Sequence, residues 1–156
     1  GTSVLAGAKK VKSESFILSM ADHWFSDGIV KKLNDKDLAF PNILAVDEKL
    51  EAINDIDDAT KVELGRENKI LEIGKEIETY DAIDCGVFRL TKSDIVASLE
   101  EAQNEKEFSL SDGIKKLIDQ KKMFYGDVTG VLWQDVDTMD DYKVTIKKYK
   151  KSLIEF

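Results

Sequence analysis

Phe16-Ile17-Leu18-Ser19-Met20-Ala21 is followed directly by Asp22 and His23. The apolar run predicts a buried strand at 16–21 that places the Asp22 carboxylate at its C-terminal end. Open α/β sheets bind their ligands at that end of their strands. Much later, Trp133-Gln134-Asp135-Val136-Asp137 carries two more carboxylates, and residues two apart on a strand face the same way. We therefore expect these acids to be able to hold one divalent cation together.

The composition narrows the class of protein. The chain has 156 residues, 42% of them apolar, which suits one domain spanning 1–156 with a single core. A formal net charge of -8 argues against nucleic acid as a partner, because such binding uses clustered Lys and Arg. The single cysteine, Cys85, excludes an intrachain disulfide and a cysteine-based metal cage. No apolar stretch approaches the ~20 residues that span a bilayer, so a cytoplasmic protein is expected.

Strand-like and helix-like segments alternate along the rest of the chain. Further strands are predicted at 43–46, 60–64, 70–73, 82–90, 123–126 and 131–133. Helices are predicted at 3–12, from Ser26 to near Asn34, at 94–104, at 111–121 and after Thr138. The loop 65–69 predicts a hairpin between 60–64 and 70–73.

The helix ends and one helix face carry further predictions. Three pairs resemble the capping box in which a hydroxyl and an acid three residues later satisfy first-turn amides: Thr91 with Asp94, Ser109 with Asp112, and Thr138 with Asp141. In the last helix, one apolar face is expected to pack on the domain; it consists of Tyr142, Ile146, Tyr149 and Leu153.

This alternation predicts an α/β fold with a mixed sheet between two layers of helices. A doubly wound domain normally starts with a strand and a glycine-rich turn that holds phosphates, and Gly1-Thr2-Ser3 and Gly7 form no such turn. The chain is therefore expected to be the C-terminal part of an incomplete domain. The outer edge of the 16–21 strand would then be open, so we expect a homodimer or a missing N-terminal segment to cover it.

Several short motifs carry a family resemblance through their order and spacing. They are Phe16 to His23, Leu44 to Asp47, Asp58 to Val62, Ile73 to Glu76, Ala82 to Phe88, and Trp133 to Thr138. Together they cover nearly the whole chain and resemble the sugar-phosphate and alcohol-phosphate nucleotidyltransferases. Among these, the sequence most resembles the CTP:inositol-1-phosphate cytidylyltransferases.

The resemblance implies an incomplete Rossmann-like (GT-A-like) domain that uses Mg²⁺ to join a nucleoside monophosphate to a small phosphate ester. Pyrophosphate is released, and CTP is the expected nucleotide. The family pattern places the metal on Asp22, Asp137 and Asp135, and carboxylate oxygens are ligands that Mg²⁺ prefers. It makes Asp22 and Lys75 the catalytic candidates.

The same resemblance places the acceptor beside three residues. Lys75 matches the family lysine near the acceptor phosphate, and Asp84 and Gly86 match the strand that borders the acceptor. The glycine-rich signature that grips the triphosphate in the family has no counterpart in this sequence, so this chain is expected to be inactive by itself.

Simpler interpretations stay open for individual residues. An Asp at a strand end is often a turn or helix-cap residue, and a lone histidine such as His23 is more often a structural hydrogen-bonding group than a base. The acidic cluster Asp55, Asp57 and Asp58 is interpreted as a solvated turn. A second hypothesis for the whole chain is a non-catalytic remnant or interaction module of the same fold that requires a partner.

Overall fold

The computed structural model describes residues 1–35, 39–52, 56–104 and 108–154, and its helices and strands alternate along the chain. The helices are α1 (Thr2–Lys10), α2 (Asp27–Leu33), α3 (Lys92–Gln103), α4 (Leu110–Asp119) and α5 (Met139–Ile154). The strands are β1 (Ser15–Ser19), β2 (His23–Phe25), β3 (Ile43–Asp47), β4 (Lys61–Leu64), β5 (Ile70–Gly74), β6 (Ala82–Thr91), β7 (Phe124–Asp127) and β8 (Trp133–Asp135).

The main sheet is built around β6, which is ten residues long. Its strand order is β5-β4-β6-β3-β7, and β1 also pairs with β6. All the pairs are antiparallel except β3 with β7, which is parallel. The predicted mixed sheet and the predicted hairpin of β4 and β5 are both confirmed. A separate ribbon consists of β2 and β8.

Two apolar cores lie on opposite faces of this sheet, and β3 contributes to both. All five residues of β3 are buried. Leu44 and Val46 belong to the core beneath α1, α3 and α4, whereas Ile43 and Ala45 belong to the core beneath α2. Alternate residues of a strand face opposite sides, so a strand covered on both faces reads as a continuous apolar run. The predicted arrangement of helices on both sides of the sheet is confirmed.

One edge of β1 is open in the described part of the chain. β1 is hydrogen-bonded to β6 along one side, and the described residues place no strand on its other side. This agrees with the expected open edge, while a homodimer or an additional segment that covers it stays a prediction. Within the described residues, no helix has both the length and the apolar character needed to cross a bilayer.

Two of the three predicted capping boxes form. In α4, the Ser109 hydroxyl accepts from the Asp112 amide and the Asp112 carboxylate accepts from the Ser109 amide, at 3.1 and 2.8 Å. Thr138 and Asp141 form the same pair of bonds before α5.

The predicted capping box of Thr91 and Asp94 is wrong. The Thr91 hydroxyl donates to the Pro41 carbonyl, and the Asp94 carboxylate accepts from the Lys122 ammonium and the Asn42 amide. The reason is that a hydrogen bond between two charged groups is stronger than a cap bond to a neutral amide.

The bounds of the first predicted strand also differ from the structure. The 16–21 strand ends at Ser19, and Asp22 lies in the turn before β2 instead of at the end of β1. Met20 is still bonded to β6, because its amide donates to the Gly86 carbonyl at 2.8 Å, and beyond Met20 the chain turns away from β6. Asp22 is therefore held between two strands that belong to different sheets.

The face of α5 expected to pack on the domain is only partly the face that packs. Tyr142 is 52% exposed and Thr145 is buried, which was not expected. Ile146 is partly buried and Tyr149 meets the Trp24 ring edge-on at 6.0 Å between centroids, as the prediction requires. The inward face also carries Lys148, whose ammonium donates to the Gln134 side-chain oxygen at 2.6 Å. A polar anchor to β8 therefore sets the rotation of the helix, which apolar spacing alone could not indicate. Leu153 lies in the stretch whose side chains are not described.

The capping box of α4 gives a stability prediction. Ser109→Ala leaves the Asp112 amide without its side-chain acceptor, and we expect the free energy of unfolding to fall by about 1 kcal/mol in urea denaturation. Ser111→Ala makes the same chemical change at an exposed position inside the helix and should cost nothing, because alanine favours helix interiors. Equal effects of the two substitutions would contradict the capping role.

Candidate active site

The ribbon of β2 and β8 joins the two acidic stretches of the sequence. Its register pairs His23 with Asp135, and the Val136 amide donates to the Asp22 carbonyl at 3.0 Å. The His23 ring nitrogen Nδ1 lies 2.9 Å from Asp22 Oδ1 and 3.7 Å from Asp135 Oδ1. Asp22 and Asp135, which are far apart in the sequence, are thus gathered around one imidazole.

The gathered groups fit a divalent cation. One ligand atom from each of Asp22, His23 and Asp135 lies within 4.8 Å of the others. Asp135 Oδ1 is shielded from water and has no hydrogen-bond partner among the described residues. A buried carboxylate oxygen without a partner is costly, and a bound cation would satisfy it. Two carboxylates, one of which carries this unpartnered oxygen, suit a hard ion such as Mg²⁺.

The pKa values of the two carboxyl groups move in opposite directions. The hydrogen bond from His23 lowers the pKa of Asp22, which keeps this group ionised. Burial raises the pKa of Asp135, and the negative charges of Asp137 and Asp22 raise it further, while His23 opposes the change. Of these two acids, Asp135 is therefore the one whose charge a bound cation would stabilise more.

Gly86 provides the space in which His23 lies. A Cβ atom at this position would come within 2.3 Å of His23 Cδ2, and Gly86 has a φ of +70°, which side chains rarely tolerate. The register between β3 and β6 shifts here, as expected at a β-bulge. The sequence predicted that Gly86 allows close approach to the acceptor; the group that approaches it in the structure is the histidine ring.

Asp84 lies on β6 beside this point. Its Oδ1 accepts from the Gly86 amide at 2.7 Å. Burial raises the pKa of Asp84 to about 6, although the Gly86 amide and the nearby His23 favour the charged form. The carboxyl group therefore changes charge close to neutral pH.

Lys75 approaches from another direction, immediately after β5. Its ammonium is 2.7 Å from Asp58 Oδ1, and both side chains are more than half exposed. The hydrogen bond to Asp58 raises the pKa of Lys75, and the charges of Asp58, Asp137 and Asp135 contribute in the same direction. Lys75 is therefore a fully charged cation that faces the acids of the ribbon.

One cavity of about 740 Å³ contains these groups. All six residues predicted from the sequence line it: Asp22, Lys75, Asp84, Gly86, Asp135 and Asp137. Asp137 lines the cavity but does not belong to the compact group formed by Asp22, His23 and Asp135. The cavity thus combines acids that fit a cation, the Lys75 ammonium and the Asp84 carboxyl group.

Sequence reasoning missed what three residues contribute to this site. His23 was expected to be more often a structural hydrogen-bonding group than a base; it does hydrogen-bond to Asp22, but its position between the two acids was not predicted. Asp58 was assigned to a solvated turn with Asp55 and Asp57; it does lie in an exposed turn, where it pairs with Lys75, and Asp55 lies outside the described residues. Trp133 donates its ring N–H to the buried Asp47 at 2.8 Å, which anchors β8 to β3. The sequence signals were that all three residues lie in the short motifs that carry the family resemblance, with His23 next to Asp22 and Trp133 two residues before Asp135.

Comparison with known proteins supports the resemblance. No protein-family model matches the sequence. A bifunctional IPC transferase and DIPP synthase from Archaeoglobus fulgidus is 31% identical over 136 residues, which cover 87% of this chain but only 25% of that protein. The chain therefore spans about a quarter of this curated relative.

Solved structures give the same result for the fold. The inositol-1-phosphate CTP transferase from T. maritima superimposes with a TM-score of 0.79 at 30% identity, over 93% of this chain and 59% of that one. A glucose-1-phosphate thymidylyltransferase described from Bacillus anthracis superimposes with a TM-score of 0.71 at 13% identity, over 92% and 58%, which shows the fold alone.

These similarities define the class of protein. The chain has the GT-A-like nucleotidyltransferase fold, as the sequence predicted. Within that class, the predicted resemblance to the inositol-1-phosphate cytidylyltransferases is confirmed by similarity in both sequence and structure.

The raised pKa of Asp84 predicts how stability depends on pH. From its ordinary value of 3.8 up to about 6, the folded protein keeps a proton that the unfolded chain has lost. Stability should therefore fall as pH rises through this window, by at most about 3 kcal/mol, since one pKa unit is worth about 1.4 kcal/mol. Asp84→Asn cannot ionise and should remove this contribution. Urea denaturation at pH 4 and pH 7, without divalent ions, measures the difference, and parallel pH profiles would contradict the assignment.

Proposed function

We propose that this chain forms the metal-binding and acceptor-binding side of a magnesium-dependent cytidylyltransferase. The reaction joins CMP to a small phosphorylated alcohol such as inositol 1-phosphate and releases pyrophosphate. The observation that carries the proposal is the convergence of the six predicted residues on one cavity, with carboxylates on the ribbon and Lys75 facing them. The names of the relatives support the choice of nucleotide and acceptor.

The ribbon supplies the metal ligands in this proposal. Asp22 and Asp135 would hold Mg²⁺, and Asp137 lies in the same cavity to complete the set. Bound there, Mg²⁺ would neutralise negative charge that develops on the phosphate oxygens during in-line displacement. The protein's own task is to fix the two carboxylates and to bring the acceptor phosphate towards them.

Lys75 binds the acceptor phosphate in this arrangement. Its present partner is Asp58, and an exposed ion pair of this kind contributes only about 0 to 1 kcal/mol. A phosphate group can therefore replace the carboxylate at little cost. The new bond forms between an oxygen of that phosphate and the α-phosphorus of CTP, and the bond from the α-phosphorus to the leaving pyrophosphate breaks.

Asp84 and Gly86 border the alcohol part of the acceptor. A carboxyl group that lines the cavity can accept hydrogen bonds from hydroxyl groups, and Thr60 lines the same cavity. An acceptor with one phosphate and several hydroxyls matches the Lys75 ammonium together with the oxygen acceptors of this cavity. We place this activity in the cytoplasm, in the synthesis of phospholipid precursors.

The open edge of β1 is consistent with a second candidate function, a non-catalytic module that requires a partner. A strand edge with unpaired amides and carbonyls binds other strands, and the described residues leave one edge of β1 without a strand. This edge would be used by a non-catalytic module that requires a partner. It would equally be used in a homodimer, or by an enzyme whose nucleotide-binding segment covers β1. Binding of inositol 1-phosphate and Mg-CTP distinguishes the enzyme from the non-catalytic module.

Titration of the protein with inositol 1-phosphate in the presence of Mg²⁺, monitored by NMR, tests the proposed function. Lys75→Gln should weaken binding, by up to about fivefold, because an ion pair of this half-exposed ammonium contributes about 0 to 1 kcal/mol. Lys10→Gln removes the same charge from the exposed end of α1 and should leave binding unchanged.

Equal affinity of the Lys75→Gln and unmodified proteins would contradict the assignment of Lys75. No binding of inositol 1-phosphate or Mg-CTP at millimolar concentration would favour the non-catalytic module.

A further inference from the structure

His23 occupies a position that no step of the proposed reaction yet uses. Nδ1 is 2.9 Å from Asp22 Oδ1, so the ring carries its proton on Nδ1 and donates it to this carboxylate. Asp135 is the direct cross-strand partner of His23, and its Oδ1 lies 3.7 Å from the same nitrogen. That distance is too long for a hydrogen bond, and it leaves Asp135 Oδ1 available to another group.

The ring is held in place from several sides. Its face lies over Gly86, where no side chain can intrude, and the Trp133 ring lies nearly parallel to it at 6.2 Å between centroids. Trp133 is in turn fixed by its bond to Asp47. The ring nitrogen therefore has a fixed position, to which the exposed Asp22 side chain is tied by one hydrogen bond.

We propose that His23 is a positioning residue that uses its Nδ1–H to hold Asp22 beside Asp135 for a divalent cation. The inference rests on the proposed function, since it concerns the same cation. Without this hydrogen bond, Asp22 would rotate freely in the turn, and repulsion between the carboxylates would favour their separation. With it, Asp22 keeps its second oxygen free for the ion. Partners that orient ligands in this way commonly change metal affinity 10–100-fold.

Three variants of His23 distinguish a positioning role of the ring from a role in packing alone. The amide nitrogen of asparagine reaches the position of Nδ1, that of glutamine reaches the position of the other ring nitrogen, and phenylalanine keeps the ring without a donor. We expect His23→Asn to bind Mn²⁺ within about threefold of the unmodified protein, and His23→Gln and His23→Phe to lose about tenfold or more. Mn²⁺ binding is measured by the EPR signal of the free ion, with thermal unfolding of the metal-free variants as the control for folding.

A second readout distinguishes a positioning residue from a metal ligand. The pulsed EPR spectrum of bound Mn²⁺ should show no hyperfine coupling from a directly bonded ¹⁴N nucleus. If such a coupling is present and disappears in His23→Phe, the imidazole is a metal ligand and the proposal is overturned. Unchanged Mn²⁺ affinity in folded His23→Gln and His23→Phe would overturn the role of His23 alone, whereas no Mn²⁺ binding to the unmodified protein would overturn both this role and the proposed metal site.

Discussion

The site depends on the pairing of β2 with β8. This ribbon has only three residue pairs, yet it joins segments from opposite ends of the chain, and closing so long a loop carries an entropic cost. Contacts outside the ribbon offset that cost: Trp133 is bonded to Asp47 on β3, and Lys148 of α5 is bonded to Gln134. Without this pairing, Asp22 and Asp135 would not be held close together.

Charge then determines what the assembled cavity can bind. Carboxylates gather at the ribbon, one of them with an oxygen that lacks a hydrogen-bond partner in the described structure, while the imidazole there donates its hydrogen bond to Asp22. Lys75 reaches the same space from β5 and is held by an exposed carboxylate that a phosphate can replace. Acids that would hold a cation, in the same cavity as an ammonium that would bind phosphate, suit the proposed phosphorylated substrate and its metal ion.

The sequence predicted what depends on local pattern. The continuous apolar run at Ile43 to Val46 indicated a buried strand, and the hydroxyl–acid pairs at Ser109 and Thr138 indicated helix starts. It could not predict that Lys148 belongs to the inward face of α5, because this depends on its polar contact with Gln134. Nor could it predict that His23 would occupy the space above Gly86, since this follows from a bulge in β6 and from pairing across the whole chain.

Paramagnetic broadening by Mn²⁺ tests the central claim most directly, namely that the ribbon forms one cation site facing Lys75. In an ¹⁵N-labelled sample with a small fraction of Mn²⁺, the amides of His23, Asp84 and Asp135 should broaden first and that of Lys75 next. Asp22→Asn should abolish this pattern, whereas Asp119→Asn, an exposed acid at the end of α4, should preserve it. Broadening centred elsewhere, or unaffected by Asp22→Asn, would contradict the account.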